Sequence, residues 1–479
     1  MRHFDVSAGL VLSLASLMLV QNAFERRLSE LSERVPASES AHPIPKILRP
    51  LFPPHIREFQ VKGYEAFFLS RRLDIVSSRK GAAQIQAELI SYKKFLPKKF
   101  LSAAQERCFW IVASGGTECF SDSIVRELVS RVDAKSDLLT QSRQVAQSYG
   151  MRMARDFVAQ ALLRQDEGGG DFESRVLEAT RNTHKVFDDS VLNMPSARKA
   201  RTGIYFIAGF NHDRGVSADV MDAAAAHLRW LGFASERLIV SPAGAAPENA
   251  RRVRETLESS LSRLDSIILV GLSKGSSDLS YFVTRELPRA RPELKRKLKV
   301  MVSLSGVVRE AFVPGWMSRE PGPTTALMRT YMARFLPEDH KEWDGLESMA
   351  DDYWVGYKKP STQRQLLWIN FPMIPESPRG MPEKKQALRL ATALVTKANS
   401  SYGPHDGLVE TGASILPPGT GHRQWIIRAL GDHGLIDGLY ISGEPVSRQF
   451  VATADNVKAG VELIDAFVRA LPSDVLVGD

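Results

Sequence analysis

An apolar run that ends in a glycine-serine-glycine turn is the feature that most constrains the fold of this chain. Residues 266–270 (SIILV) have the composition of a buried strand, and Gly271-Leu272-Ser273-Lys274-Gly275 follows directly. Glycines two positions before and two after a serine let a strand and a helix approach closely across a sharp, strained turn. The pattern is typical of a nucleophilic serine at the end of a parallel strand. A chance match in a loop is the alternative, and the strand before the turn argues against it.

From about residue 200 onwards, short apolar runs alternate with helical segments, which predicts a mostly parallel α/β sheet with helices on both faces. The predicted strands are 204–208, 237–240, 266–270, 299–304, 365–371 and 423–428, and the clearest helices are 218–231 and 247–264. The segment 309–362 is helical and irregular, and we expect it to form a cap inserted above the sheet.

The sequence predicts four segments in all. Residues 1–23 contain an apolar run that is too short to span a bilayer comfortably and suits a signal peptide or a membrane-attaching segment. An amphipathic helix packed on the protein's own core is the alternative. Six prolines make 24–55 a linker, residues 56–195 are mostly helical, and residues 196–479 carry the sheet and its cap. Export or membrane association is therefore expected, with a cytoplasmic location as the alternative.

The two cysteines, Cys108 and Cys119, are too few for a disulfide framework. One bridge that closes a short loop and two buried thiols are both compatible with their spacing. No cluster of histidines lies nearby in sequence, so no metal site is predicted here.

The net charge argues against a nucleic-acid partner. The chain has 63 basic and 55 acidic residues in 479, a net charge of +8, and the basic residues are scattered in short pairs. No aromatic stacking pattern or zinc-ligand spacing accompanies them. A solvated surface explains the charge better, with an anionic membrane or acyl substrate as the alternative. Neither a cofactor nor a metal is predicted.

A nucleophilic serine needs a base, normally a histidine that a carboxylate orients. In parallel α/β sheets, ligands bind beyond the carboxyl ends of the strands, so the candidates are loops that follow strands. His433, in Gly-Asp-His-Gly after the strand at 423–428, fits this position best. His405 is a competitor, whereas His422 precedes that strand and should lie at the opposite edge.

Asp406 is the candidate carboxylate because it lies in the turn Pro-His-Asp-Gly-Leu-Val, beyond the strand at 365–371. Aspartates in such turns also have structural roles. Asp432 is a weaker candidate because it adjoins His433, and neighbouring side chains usually diverge.

The order Ser273, Asp406, His433 resembles the α/β-hydrolase superfamily in its lipase and esterase branch, over about residues 200–470. The resemblance implies an oxyanion hole made by the backbone N–H groups of Lys274 and Phe210. Lipases often have His-Gly before the second donor, where this chain has Ala208-Gly209. The Lys274 ammonium is expected to point to solvent, with recognition of an anionic substrate as the alternative.

The activity that this resemblance implies is hydrolysis of a carboxylic ester, a small-molecule or lipid substrate, through an acyl-enzyme intermediate. An acyltransferase or a thioesterase with the same triad is one alternative. A non-catalytic scaffold that uses residues 56–190 as a partner surface is another.

Overall fold

The protein is described by a computed structural model over residues 123–149, 151–168, 170–210, 216–241, 243–312, 344–374, 402–406, 408–432, 435–441, 444–445 and 456–477. All of these residues belong to one compact unit, Ile90–Asp479. The predicted segments 1–23 and 24–55 lie outside the described residues, as do Cys108 and Cys119.

The four longer helices before the sheet in the described chain are α1 (Ser123–Ser130), α2 (Leu138–Tyr149), α3 (Met151–Gln165) and α4 (Asp171–Arg181), and the short α5 (Ser196–Lys199) follows them. The region predicted to be mostly helical before the sheet is therefore helical where it is described. The later helices are α6 (Val216–Trp230), α7 (Ala246–Ser260), α8 (Lys274–Tyr281), α9 (Pro292–Lys297), α10 (Asp344–Met349), α11 (Asn456–Ala470) and α12 (Asp474–Val477). No helix in the described part of the chain is long and apolar enough to cross a membrane.

The main sheet has six strands, all parallel, in the order β2-β1-β3-β4-β5-β7. These strands are β1 (Thr202–Ile207), β2 (Ala234–Leu238), β3 (Ser266–Leu272), β4 (Leu298–Leu304), β5 (Leu367–Phe371) and β7 (Arg423–Ile426). The prediction of a mostly parallel sheet is confirmed. Strand β3 lies third in this order, between β1 and β4, so the turn that ends it is surrounded by other strand ends.

Alternate side chains of each strand enter two different cores. Ile204 and Phe206 of β1 pack with α6 and α11 on one face, whereas Tyr205 and Ile207 pack with α7 and α8 on the other. Strand side chains point to opposite faces with period two, so a strand that is apolar at nearly every position must be covered on both sides. This agrees with the prediction of helices on both faces.

A second, smaller sheet continues beyond the carboxyl edge of the main one, in the order β10-β9-β8-β6. Its strands are β6 (Met373–Ile374), β8 (Ala429–Asp432), β9 (Leu435–Ile441) and β10 (Glu444–Pro445). Strand β6 pairs in parallel with β8, and β8 and β9 form an antiparallel pair joined at positions 433 and 434. The sequence did not predict β9, and it placed the last clear strand at 423–428.

The helices before the sheet pack directly on it. In α4, the Phe172 ring lies 4.8 Å from that of Trp425 and 5.9 Å from that of Phe467. The buried carboxylate of Glu173, also in α4, accepts hydrogen bonds from the Arg428 side chain at 2.7 and 3.0 Å. This buried ion pair joins α4 to the segment directly after β7. Loss of either partner would leave an uncompensated buried charge.

The predicted cap at 309–362 is described only at 309–312 and 344–362. Within the second stretch, Trp354 is buried in the core that α7 and α8 cover, with its ring 5.4 Å from that of Trp368. This part of the segment therefore covers a face of the sheet. The prediction of a cap concerns chiefly 313–343, which lie outside the described residues.

Candidate active site

Ser273 lies in a strained turn between β3 and α8. Its backbone has φ 51° and ψ −118°, a region that residues with a side chain rarely adopt. A methyl group on Gly275 would overlap the carbonyl oxygen of Ile207, and one on Gly271 would come within 2.8 Å of the Gly275 carbonyl carbon. Both glycines of the motif are therefore required by close backbone contacts, as the sequence predicted.

Hydrogen bonds hold this turn against the next strand. The Ser273 N–H donates to Leu304 O at 3.1 Å, and the Val307 N–H donates to Ser273 O at 3.1 Å. Directly after the motif, Ser276 Oγ donates to Gly271 O at 3.0 Å. Strain persists only where the surroundings determine the conformation, and these bonds supply that constraint. They hold the nucleophile candidate at the carboxyl edge of the sheet.

A second serine with positive φ ends the adjacent strand. Ser305 follows β4 with φ 45°, and it and Ser273 are the two non-glycine residues with positive φ in the described chain. Its N–H donates to Phe371 O at 3.2 Å, and its buried hydroxyl donates to Asp406 Oδ2 at 3.2 Å. Strained residues cluster at functional sites, so this pair of adjacent strand ends marks the candidate site. Ser305 was not predicted, because it belongs to no recognisable sequence motif.

Asp406 is buried, and its carboxylate is held on both oxygens. Oδ1 accepts hydrogen bonds from the backbone N–H groups of Leu408 at 3.0 Å and Val409 at 2.8 Å, while Oδ2 accepts the Ser305 hydroxyl. The segment 304–307 thus contacts Asp406 on one side and Ser273 on the other. The structure brings these two predicted residues to the same edge of the sheet, as their places after β3 and β5 imply.

His433 lies outside the described residues, and in the sequence it falls between β8 and β9. Strand β8, which follows β7 in the chain, ends at Asp432. The assignment of His433 as the base therefore stays a prediction.

The two competing histidines are described, and both are buried. His422 lies at the amino edge of the sheet, where Nδ1 accepts the Leu366 N–H at 3.2 Å and Nε2 lies 3.0 Å from the Tyr357 hydroxyl oxygen. Burial lowers its pKa to about 3, and the charge of Lys359 adds to this effect. The prediction that His422 lies at the opposite edge from Ser273 is confirmed.

His405 precedes Asp406 in the same loop and forms a β-bridge with Glu410. Burial lowers the pKa of His405, an effect that the charges of Asp406 and Glu410 partly offset. Its neutral form is therefore favoured at neutral pH.

The two predicted oxyanion donors belong to segments at this same edge. Lys274 is the first residue of α8, so its backbone N–H has no acceptor within the helix and lies at the positive end of the helix dipole. Phe210 lies in the turn after β1, and its half-buried side chain packs on a cluster that includes Val307, Tyr402 and Val409. Because β1 and β3 are parallel neighbours, the two donors follow the ends of adjacent strands at the same edge of the sheet.

The prediction that the Lys274 side chain points to solvent is wrong. Only 1% of it is exposed, and Nζ donates to the Asp278 carboxylate at 2.8 and 3.0 Å. Asn249 Nδ2 also donates to Asp278 at 2.9 Å, and burial raises the pKa of Asp278 despite these partners. The sequence contained a signal for this pair, since Lys and Asp four positions apart share one face of a helix.

Among the residues that the structure describes, no group of three or more His, Cys, Asp or Glu side chains is arranged to hold a metal ion.

No protein-family model matches this sequence, and no curated protein is significantly similar to it. Solved structures with partial similarity include a metagenomic carboxyl esterase (TM-score 0.41, 15% identity, covering 63% of this chain and 91% of that one). Another is a Bacillus licheniformis lipase in its mature form (TM-score 0.34, 16% identity, covering 49% of this chain and 85% of that one). A third is carboxyl esterase 2 of the fungus Tuber melanosporum (TM-score 0.31, 17% identity, covering 57% of this chain and 78% of that one).

Because all three TM-scores are below 0.5, the fold class rests on the strand order and on the turn at Ser273. A parallel sheet with a strained serine between its third strand and the following helix, and a buried aspartate beyond a later strand of the same sheet, defines an α/β-hydrolase fold.

Proposed function

We propose that this protein is a serine hydrolase that cleaves a carboxylic ester, with Ser273 as nucleophile, His433 as base and Asp406 as the residue that orients the base. The observation that carries the proposal is the backbone of Ser273. A non-glycine residue at φ 51° costs free energy, on the order of 1–3 kcal/mol, and packing alone gives no reason for a serine there. The conformation places Ser273 at the end of a central strand, directly before the first N–H groups of a helix.

The reaction follows from these roles. His433 accepts the proton of the Ser273 hydroxyl while the oxygen attacks the ester carbonyl carbon, and the backbone N–H groups of Lys274 and Phe210 stabilise the oxyanion. The protonated His433 then gives its proton to the departing alcohol. Water, deprotonated by the same histidine, releases the acid and restores the serine.

The buried, doubly held carboxylate of Asp406 supports the second part of the proposal. A carboxylate in a triad must stay ionised and fixed, because it orients the imidazole and stabilises the imidazolium. Three hydrogen-bond donors on Asp406 favour its charged form despite burial. Its position beside the segment that also contacts Ser273 fits this role.

A fluorophosphonate probe tests the proposal, since it reacts covalently with activated serines. We expect the probe to label the wild-type protein at Ser273, identified by mass spectrometry of the modified peptide. Ser273→Ala should abolish labelling and lower kcat on a short-chain ester by about 10⁴-fold or more, with an unchanged melting temperature. Ser277→Ala, which alters a buried serine of the helix that follows Ser273, is the matched control and should label normally.

Labelling at another residue, or a folded Ser273→Ala protein with wild-type activity, would refute the assignment. Esters of increasing acyl length, thioesters, and alcohols added as acyl acceptors would then separate an esterase from a lipase, a thioesterase or an acyltransferase.

A further inference from the structure

The loop that carries Asp406 is closed at its base by a second buried carboxylate. Within residues 402–411, His405 and Glu410 form an antiparallel bridge, and Glu410 Oε1 accepts the Gly403 N–H at 2.7 Å. Glu410 therefore joins the beginning of the loop to its end, and Asp406 lies between the two joined ends. Because Asp406 is only four positions before Glu410 in this closed loop, a displacement of Glu410 would also move Asp406.

The counterion of Glu410 is Arg143, which belongs to helix α2. Arg143 Nε donates to the two carboxylate oxygens at 3.0 and 3.1 Å, and a terminal nitrogen of the same guanidinium donates to Oε2 at 2.5 Å. Burial lowers the pKa of Arg143, but the hydrogen bond and the charge of Glu410 outweigh burial, so the net shift is upward. Such a planar, bidentate pair fixes direction as well as distance.

Helix α2 is in direct contact with the chain at both ends of the loop, through the Leu139 backbone and the Ser142 side chain. A methyl group on Gly412 would lie 2.7 Å from Leu139 Cα, and one on Gly403 would lie 2.7 Å from Ser142 Oγ. Neither position has room for even an alanine side chain. The helix therefore holds the loop at two points besides the ion pair.

We infer that Arg143, acting through Glu410, is a positioning residue for Asp406, and that helix α2 is thereby part of the catalytic unit. The inference rests on the proposed function, because it assigns a role relative to the triad carboxylate. That carboxylate acts by orienting the imidazole, so a loop free to move by about 1 Å would cost on the order of 10²-fold in rate.

The second ion pair of Arg143 provides a matched control. The terminal nitrogen that binds Glu410 also donates to Glu310 at 2.9 Å, and the Glu310 side chain is 35% exposed, against 2% for Glu410. Glu310→Gln removes a carboxylate from Arg143 and leaves the contacts with Glu410 in place. Besides Asp406, the ionisable groups of the described loop include Tyr402, His405 and Glu410; Arg143 pairs with Glu410, and Glu310 pairs with Arg143.

The test measures kcat, KM and the pH dependence of kcat/KM for Arg143→Met, Arg143→Lys and Glu310→Gln, together with each melting temperature. We expect Arg143→Met to lower kcat by about 10- to 100-fold with little change in KM. The acid limb of its kcat/KM profile should move to lower pH, because a poorly oriented carboxylate raises the pKa of the base less. Arg143→Lys should restore part of the activity, and Glu310→Gln should match the wild type.

Arg143→Met leaves Glu410 buried without its counterion, so this variant could fail to fold. The double variant Arg143→Met/Glu410→Gln removes both charges and carries the same expectation for kcat and for the acid limb. A folded single or double variant with wild-type kcat and acid limb would overturn the inference. The inference would also be overturned if kcat fell only in proportion to a lower melting temperature while the acid limb of the kcat/KM profile stayed at the wild-type pH.

Ser273→Ala, measured in the same series, separates the two proposals. Wild-type activity in Ser273→Ala refutes the proposed function and the inference with it. An inactive Ser273→Ala beside an unaffected Arg143→Met refutes the inference alone.

Discussion

The turn around Ser273 and the loop around Asp406 are held by contacts of different range. Besides its hydrogen bonds to the neighbouring segment 304–307, the turn has local contacts, since Ser276 Oγ binds Gly271 O and Lys274 binds Asp278, at separations of five and four positions. The Asp406 loop depends on Arg143, which lies 267 positions from Glu410. A site can thus combine one element that is specified locally with another that forms only when distant parts of the fold assemble.

The largest expected effect tests the loop. Asp406→Asn keeps an oxygen that can accept the Leu408 and Val409 N–H groups, but it removes the negative charge. We expect kcat to fall by on the order of 10⁴-fold, because the imidazolium loses its stabilising partner and the tautomer of the base is no longer fixed. Ester hydrolysis and circular dichroism of the variant measure this. A kcat within tenfold of the wild type, in a folded protein, would remove Asp406 from the triad.

The next effect tests the turn. Lys274→Met fills a similar volume but leaves the buried Asp278 without its counterion, so the free energy of unfolding should fall by about 3–5 kcal/mol. Urea denaturation measures it. The double variant Lys274→Met/Asp278→Leu should recover most of the loss, because neither charge remains. Equal stability of the single variant and the wild type would show that the pair does not support the turn.

A third measurement follows the free energy of unfolding as the pH is lowered. His422 has a folded-state pKa of about 3, below its usual value near 6.5, so the unfolded chain binds the extra proton between these values. Stability should therefore fall by about 2 kcal/mol from about pH 7 to about pH 5 through this residue. Urea midpoints of His422→Gln should lack this component, and those of His184→Gln, at an exposed site, should retain it. An identical pH dependence in His422→Gln and the wild type would contradict the assignment.

The smallest expected effect concerns Ser305, which lies between the Ser273 turn and the Asp406 loop. Ser305→Ala removes one hydrogen bond to Asp406 and should lower kcat by about fivefold, which corresponds to roughly 1 kcal/mol. Ser305→Gly relieves the positive φ and also lacks the hydroxyl. A similar loss in both variants assigns the effect to the hydroxyl. Wild-type kcat in both would mean that the contact with Asp406 has no catalytic consequence.

Most of the main sheet could be predicted from the sequence because its strands are buried on both faces and read as continuous apolar runs. Edge strand β2 was predicted at 237–240 and lies at Ala234–Leu238, since Ser235 and Glu236 interrupt its apolar pattern. Strand β9 was missed for the same reason, because Asp437 and Gly438 lie at its centre. Polar and glycine residues conceal strands whose partners are not evident from the sequence.

The candidate site shows the same division. Ser273 and Asp406 could be predicted because a turn motif and a strand order indicated them. Arg143, Glu410 and Ser305 could not, since their importance depends on contacts between segments more than 100 positions apart. The side chain of Lys274 was predicted wrongly because a charged residue in a glycine-rich turn is usually exposed, and the helix that follows buries it.

The ion pair between Arg143 and Glu410 also has a consequence for synthesis on the ribosome. At about 5–20 residues per second, the 267 positions that separate the two residues take roughly 13–53 s to translate. Helix α2 therefore leaves the ribosome well before the loop that it will hold, with Arg143 still lacking that carboxylate. Arg143 can therefore gain this counterion only after the chain has been made at least as far as Glu410, so α2 takes up its final contacts late in synthesis.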